Sequence, residues 1–303
     1  MGGHVFKNSA PIKREFIKIT IDKYIKEFTR IFPASKRHLD PVVTLGSVGK
    51  KDFSGDIDIA IDNKAFDNIE EWGIDKQEIT ELFAGFKKRA RTSTDDQLMK
   101  RAIIVAIANK IEKESDLIIT DVKQSGSGAL FCQFPQYNEK GEEMDMLVQI
   151  DINVGDIDWL KFAYYSDSYE GNVKGLHRTQ LMLSLFAYKG YVFSHNYGVK
   201  NKTTQEIVAN NPKEAIDLLN ELYGFHITEK ILQNYFELHK YMELKLKKDE
   251  LYAIYDIYLK ILDSTRCDIP TDMQLYWVEN QDRLGLKGKF LPNNSNLYPL
   301  KKD

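Results

Sequence analysis

The sequence predicts an α+β protein: a mixed sheet with helices packed on it, followed by a helical C-terminal domain. Three observations carry this. Residues 56–62 (DIDIAID) and 144–154 (MDMLVQIDINV) alternate polar and apolar side chains, the period of a strand with one buried face. Segments near 11–32, 75–91 and 94–113 carry apolar residues at helical spacing. From about residue 225 the strand pattern stops, and two long helical segments rich in Tyr and Lys follow.

The 303 residues suffice for one large domain or two moderate ones. A net charge of −3 excludes a polycation, so a nucleic-acid partner would need a local basic face. The two cysteines, Cys132 and Cys267, are too few and too far apart for a disulfide framework, which leads to the expectation of a cytoplasmic protein. No apolar run reaches membrane-spanning length and the opening MGGHVFKNSA has no signal-peptide core, so no membrane partner is expected.

In chain order, the helix over about 11–32 carries Phe16, Ile17, Ile21, Tyr24, Ile25 and Phe28 near helical spacing, and Pro33 ends it. The first forty residues hold nine Lys/Arg against four Asp/Glu, which suits a solvated helix face or a phosphate-contact surface. Val42–Leu45 reads as a short buried strand leading into Gly46-Ser47, a loop that closes at Ser54-Gly55, and the acidic strand. Asp75 with Glu78 looks like a helix cap pair, and Thr94 or Asp95 starts the next helix. Lys87, Lys88, Arg89, Arg91, Lys100 and Arg101 form a basic cluster there, either structural or a nucleic-acid contact. Residues 117–122 read as a strand, Gly126-Ser127-Gly128 as a joint, and 129–137 with 144–154 as a hairpin turning at 138–141. The second arm places Val148, Ile150, Ile152 and Val154 on one face, and Gln149, Asp151 and Asn153 on the other. A helix is expected over about 177–189, then an extended stretch near 190–198. Asn211-Pro212-Lys213-Glu214 opens a further helix that Gly224 stops. Helices over about 228–248 and 250–262 follow, with an irregular, mildly basic tail from Gln281.

The chemistry concentrates in LGSVGKKDFSGDIDIAID, residues 45–62. Asp56 and Asp58 lie two apart on a strand and project together, while Ile57, Ile59 and Ile61 enter the core. Adjacent carboxylates repel unless a cation sits between them. Hard divalent ions take carboxylate oxygens and keep phosphate as a further ligand. Gly46-Ser47 offers a closely approachable backbone, a hydroxyl and N–H groups where a helix is expected to start, which together suit a triphosphate.

This composite resembles the nucleotidyltransferase superfamily, with its Gly-Ser, short loop, and Asp-hydrophobic-Asp on a strand. The hairpin ALFCQFP…QIDINV resembles the palm hairpin of family X DNA polymerases, which are polymerase beta-like; the likeness runs from about residue 45 to 223. The resemblance implies a nucleotidyltransferase palm over about 41–162, after an N-terminal basic helix (1–40). A thumb-like segment (163–224) and a C-terminal helical domain (225–303) would follow. It implies a third carboxylate at Asp151, with Asp145, Asp156 and Asp158 as competing candidates. Asp56, Asp58 and Asp151 would be catalytic and hold two Mg²⁺ ions, with Mn²⁺ as a substitute. Gly46, Ser47, Lys50, Lys51 and Ser54 would hold the phosphates of an NTP or dNTP. Tyr164, Tyr165 and Asn172 occupy the place of the family's sugar-and-base turn, and Arg178 the start of the thumb helix, within reach of a phosphate. The chain departs from the family in having Ser166-Asp167 for Thr-Gly, and in showing one helix before Gly46 in place of a lyase domain. The implied activity is transfer of a nucleoside monophosphate to a hydroxyl, foremost a DNA or RNA 3′ end. Modification of a small-molecule or protein hydroxyl is the alternative, and an inactive nucleotide-binding module the second.

Overall fold

The computed structural model describes residues 5–91, 93–125, 129–167 and 172–286. The expected joint at Gly126-Ser127-Gly128 and the tail beyond residue 286 lie outside them. The fold is α+β, with helices and a mixed sheet. Among the described residues no helix is long and apolar enough to cross a membrane. The chain forms two compact units: residues up to Ala163 together with His195–Tyr197, and Tyr164–Ser194 together with the chain from Gly198 onward.

The first unit opens with β1 (Ile12–Lys13) and α1 (Arg14–Ile31). It continues through β2 (Val43–Thr44), β3 (Phe53–Ser54), β4 (Ile57–Asp62), α2 (Lys76–Lys87) and α3 (Asp95–Glu114). It closes with β5 (Ile119–Thr120), α4 (Val122–Ser125), β6 (Ala129–Tyr137), β7 (Glu143–Gly155) and α5 (Ile157–Ala163). Five strands form one sheet in the order β2-β4-β7-β6-β5, in which β4 and β7 run parallel and the other neighbours antiparallel. α1 buries Ile17, Thr20, Ile21, Tyr24, Phe28 and Ile31. The Tyr24 ring meets Phe134 edge-on at 5.4 Å and its hydroxyl donates to Cys132 Sγ at 3.3 Å, pinning α1 to β6. Burial pushes that thiol up to about 12, so it stays protonated and acts as a small apolar group. α3 is held at its start by a reciprocal cap between Thr94 and Gln97.

Several local expectations change. β2 is half-buried to exposed rather than buried, because it is the sheet's edge. The strand expected over 117–122 shrinks to two residues, since the Asp121 carboxylate accepts the Gln124 N–H at 2.9 Å and turns the chain into α4. Asp75 caps α2 through the Gln77 N–H, whereas the Glu78 carboxylate accepts from Asn109 on α3.

The second unit holds α6 (Gly175–Tyr188), β8 (Tyr191–Ser194), β9 (Gly198–Asn201), β10 (Ile207–Ala209) and α7 (Pro212–Tyr223). α8 (Glu229–Gln233), α9 (Tyr235–Lys245), α10 (Lys248–Thr265) and α11 (Gln274–Leu284) complete it. The three strands pair antiparallel in the order β10-β9-β8. Gly198 is required there: its φ is +103°, and a Cβ would collide with the Ala209 carbonyl. Residues 203–206 form a turn in which Asn201 Oδ1 accepts the N–H groups of Thr203 and Thr204. The single helix expected over 228–248 breaks at Asn234, whose side chain caps α9 through the Glu237 N–H at 3.1 Å. The tail expected to turn irregular at Gln281 stays helical to Leu284, where Gly285 at φ +65° stops it.

Candidate active site

The parallel pairing of β4 with β7 sets Ile57 opposite Ile150, Asp58 opposite Asp151 and Ile59 opposite Ile152. Side chains of residues paired across neighbouring strands point to the same face. The isoleucines therefore enter the core, and Asp58 and Asp151 stand side by side on the reverse face. Asp56, expected on the strand, lies in the bend just before β4, and its charge acts on both Asp58 and Asp151. Asp151 is 3 % exposed; Asp56 and Asp58 are half-buried.

Two amides serve the carboxylates. Gln149 Nε2 donates to both oxygens of Asp151, at 2.9 and 3.0 Å. Asn153 Nδ2 donates to Asp58 Oδ1 at 3.0 Å. The Gln149 amide is itself oriented by the Val5 N–H, which donates to its Oε1 at 3.1 Å. These bonds do not compensate the crowding of charge. Burial first, then the Asp56 charge, push Asp58 up to about 7. Burial, then Asp58 and Asp56, push Asp151 up to about 8. A cation or a proton on that face would relieve the crowding.

Among the described residues no group of three or more His, Cys, Asp or Glu side chains is placed to hold a metal ion. The donors that are present still suit Mg²⁺, which takes one or two carboxylates and completes its shell with water and substrate phosphate. The carboxylates of Asp58 and Asp151, raised by burial and by each other with Asp56 adding its charge, are chemically matched to such an ion. Of the competing acids, Asp156 Oδ1 accepts the Trp159 N–H at 2.9 Å and caps α5. Asp145 lies at the exposed start of β7.

The phosphate loop differs from expectation in one respect. No helix follows Gly46-Ser47; residues 46–50 form turns, with Lys50 N–H donating to the Ser47 carbonyl at 3.0 Å. Gly46 and Gly49, at φ +64° and +72°, adopt the left-handed region that breaks a helix. The loop joins the acidic strand directly, since Leu45 N–H donates to the Asp58 carbonyl at 2.9 Å. Ser54 is buried and its hydroxyl accepts the Gly49 N–H, so it closes the loop and does not open toward a ligand. Lys50 is exposed and Lys51 half-buried.

Tyr164, Tyr165 and Asn172 belong to the second unit. The Asn172 amide is engaged there: its Nδ2 donates to the Ile269 carbonyl at 2.7 Å and its Oδ1 accepts from Thr271. Arg178, expected to reach a phosphate, is fully buried; its Nε donates to the Leu232 carbonyl at 2.6 Å, and its guanidinium lies 5.9 Å from the Tyr165 ring centre. The basic cluster also contracts. The Lys100 ammonium donates to the Val154 carbonyl, with burial pulling it down to about 8, and Arg101 lies over the Phe86 ring at 4.9 Å. Lys87, Lys88, Arg89 and Arg91 remain exposed at the end of α2.

The residues whose role sequence reasoning missed are Gln149 and Asn153. Their signal was present in the same alternation that selects Asp151: QIDIN places an amide on either side of a carboxylate. No protein-family model matches the chain, and no curated protein matches it.

Proposed function

We propose that the chain is a Mg²⁺-dependent nucleotidyltransferase whose sheet is a polymerase beta-like palm. In this reading it moves a nucleoside monophosphate from an NTP or dNTP to the hydroxyl of a nucleic-acid 3′ end. The observation that carries the reading is the register of β4 and β7, which sets Asp58 beside Asp151, with the Asp56 charge near enough to act on both. Divalent ions held there would neutralise phosphate charge and acidify the acceptor hydroxyl. Asp56 and Asp58 would bind at the nucleotide's phosphates, and Asp58 with Asp151 beneath the acceptor oxygen. Gln149 and Asn153 hold Asp151 and Asp58 in place for that task. Gly46, lacking a side chain, lets the triphosphate approach the backbone, and Lys50 or Lys51 would neutralise its terminal charge. The acceptor oxygen bonds to the α-phosphorus, its proton leaves, and the bond to the β-phosphate breaks to release pyrophosphate. Positioning and electrostatics supply most of such a rate enhancement.

The test offers the full chain Mg²⁺ and each labelled NTP and dNTP with a primer, a primer–template, bulk tRNA, or no acceptor. Oligonucleotide extension is expected, and Asp56→Asn or Asp58→Asn is expected to abolish it while circular dichroism is unchanged. Label appearing only on the protein would move the acceptor to a protein hydroxyl. Transfer to nothing at all, with nucleotide still bound, would leave a binding module in place of an enzyme.

A further inference from the structure

On the other side of the sheet lies a cleft of about 800 Å³. Its position follows from strand alternation. Thr44 of β2 lines it and pairs with Ile59, so it opens on the isoleucine face, the face α1 covers, and not on the carboxylate face. One wall is a stripe of α1 from Arg14 to Thr29, about 22 Å long at ~1.5 Å per residue. Between the ends the lining holds the aliphatic side chains of Ile17, Ile21, Ile25, Leu39, Val42 and Val48, together with Asp22, Asp40 and Thr44. Cations sit toward both ends of the stripe, Arg14 and Lys18 at one, Lys26 and Lys36 at the other. Lys18 is paired with Asp22 at 2.8 Å. Arg14, Lys26 and Lys36 make no ion pair among the described residues, against one such carboxylate in the lining, Asp40.

We propose that this cleft binds a single-chain amphiphilic anion: an aliphatic chain lying along Ile17, Ile21 and Ile25, with a carboxylate or phosphate head held by Lys26 and Lys36 or by Arg14. The size falls within the range of small-molecule sites. Among the described residues no aromatic side chain lines the cleft, and nucleobases are ordinarily gripped by aromatic stacking, so the walls favour a flexible alkyl chain over a second nucleotide. The unpaired cations supply the complement to an anionic head. Val48 and Gly49 line the same cleft and belong to the Gly46–Lys50 loop, so an occupant touches that loop from behind. The proposal does not depend on nucleotidyl transfer.

The experiment is isothermal titration of the full-length protein with laurate and with dodecyl phosphate, each below its micellar concentration; the two arms separate a carboxylate from a phosphate head. Neutral dodecyl maltoside and AMP serve as comparisons. Saturable one-to-one binding of at least one anion is expected, with the maltoside and AMP weaker. Lys26→Glu combined with Lys36→Glu, both exposed, is expected to weaken the anion by at least about tenfold. Ile25→Trp, which fills the middle of the cleft, is expected to abolish binding with the thermal transition retained. Three results would each overturn the proposal: no saturable anion binding up to about 1 mM, affinity unchanged in both variants, or AMP binding more tightly than either amphiphile.

Discussion

Replacing Asp151 by Asn should stabilise the protein in the absence of metal while destroying the site. Asp151 is 3 % exposed, and burial with the neighbouring carboxylates pushes it from an ordinary 3.8 up to about 8. A raised carboxylate means that the folded chain binds a proton that the unfolded chain has released. Stability therefore falls as pH rises from about 4 toward about 8, and the loss is complete above that. At ~1.4 kcal/mol per pH unit the limit is about 6 kcal/mol. The charge is shared with Asp58 and relieved by Gln149, so a neutral residue should recover about a third of that limit, near 2 kcal/mol. Asparagine can keep its Oδ1 on Gln149 Nε2 and turn its Nδ2 toward the carboxylate of Asp58. For a unit of this size, 2 kcal/mol raises the melting temperature by about 4–8 °C. The assay is thermal unfolding of the full chain at pH 5 and pH 8, followed by tryptophan fluorescence; Trp72 and Trp159 both report on the first unit. The gain should be small at pH 5, large at pH 8, and, under the proposed function, reduced when Mg²⁺ is added, because an ion held by Asp151 would favour the wild type. A variant no more stable than wild type at pH 8, or a gain that does not grow between the two pH values, would refute the account of a crowded acidic face.

Other outcomes follow from the same structure. Asp56→Asn and Asp58→Asn should each lower transfer by about 10²-fold or more, the scale of removing one preorganised electrostatic contact, measured as labelled product per unit time. Under the proposed function, with the exposed cations after α2 meeting the acceptor strand, Arg89→Glu with Arg91→Glu should weaken oligonucleotide binding equally across sequences and lower the salt slope by about 2, measured by anisotropy at several salt concentrations. Arg178→Met should cost the second unit about 2–3 kcal/mol, because the buried Leu232 carbonyl loses its donor; Arg178→Lys should not restore it, since one ammonium does not reproduce the fork. Urea unfolding read at Trp277, in the second unit, measures both.

The strands that matter were legible because a period of two leaves little freedom. QIDINV and DIDIAI each bury one face, and a register slipped by one residue would turn every isoleucine outward. The hydrophobic pattern thus places Asp58 and Asp151 on the same side of the sheet before any contact is known. The particular pairing of Asp58 with Asp151, and not with Gln149 or Asn153, is a long-range choice that no local pattern contains. The fate of the cations was not legible either. Lys100 and Arg101 read as surface charge beside Lys87, Lys88, Arg89 and Arg91, yet long side chains can bury their stems, and these two end on a carbonyl and on an aromatic ring. Arg178 stands at what reads as an exposed helix start, but α6 is buried on nearly every side.

The loop after Gly46 shows how a local rule can mislead at the point where function is sought. Glycine and serine before a short basic stretch suggest a helix start offering free N–H groups. Gly49, at φ +72°, instead takes the chain through a left-handed turn, and Ser54 locks that turn by accepting the Gly49 N–H. What the loop retains is a hydrogen bond to the acidic strand: the Leu45 N–H donates to the Asp58 carbonyl, so a movement of the loop is felt at the backbone of Asp58 itself. With Val48 and Gly49 lining the cleft, the loop borders both the cleft and the acidic strand, as β2 does through Thr44. An occupant on the aliphatic side would therefore bias the loop's conformation, and by linkage any ligand held by the loop on the acidic side would bias the occupant by the same factor.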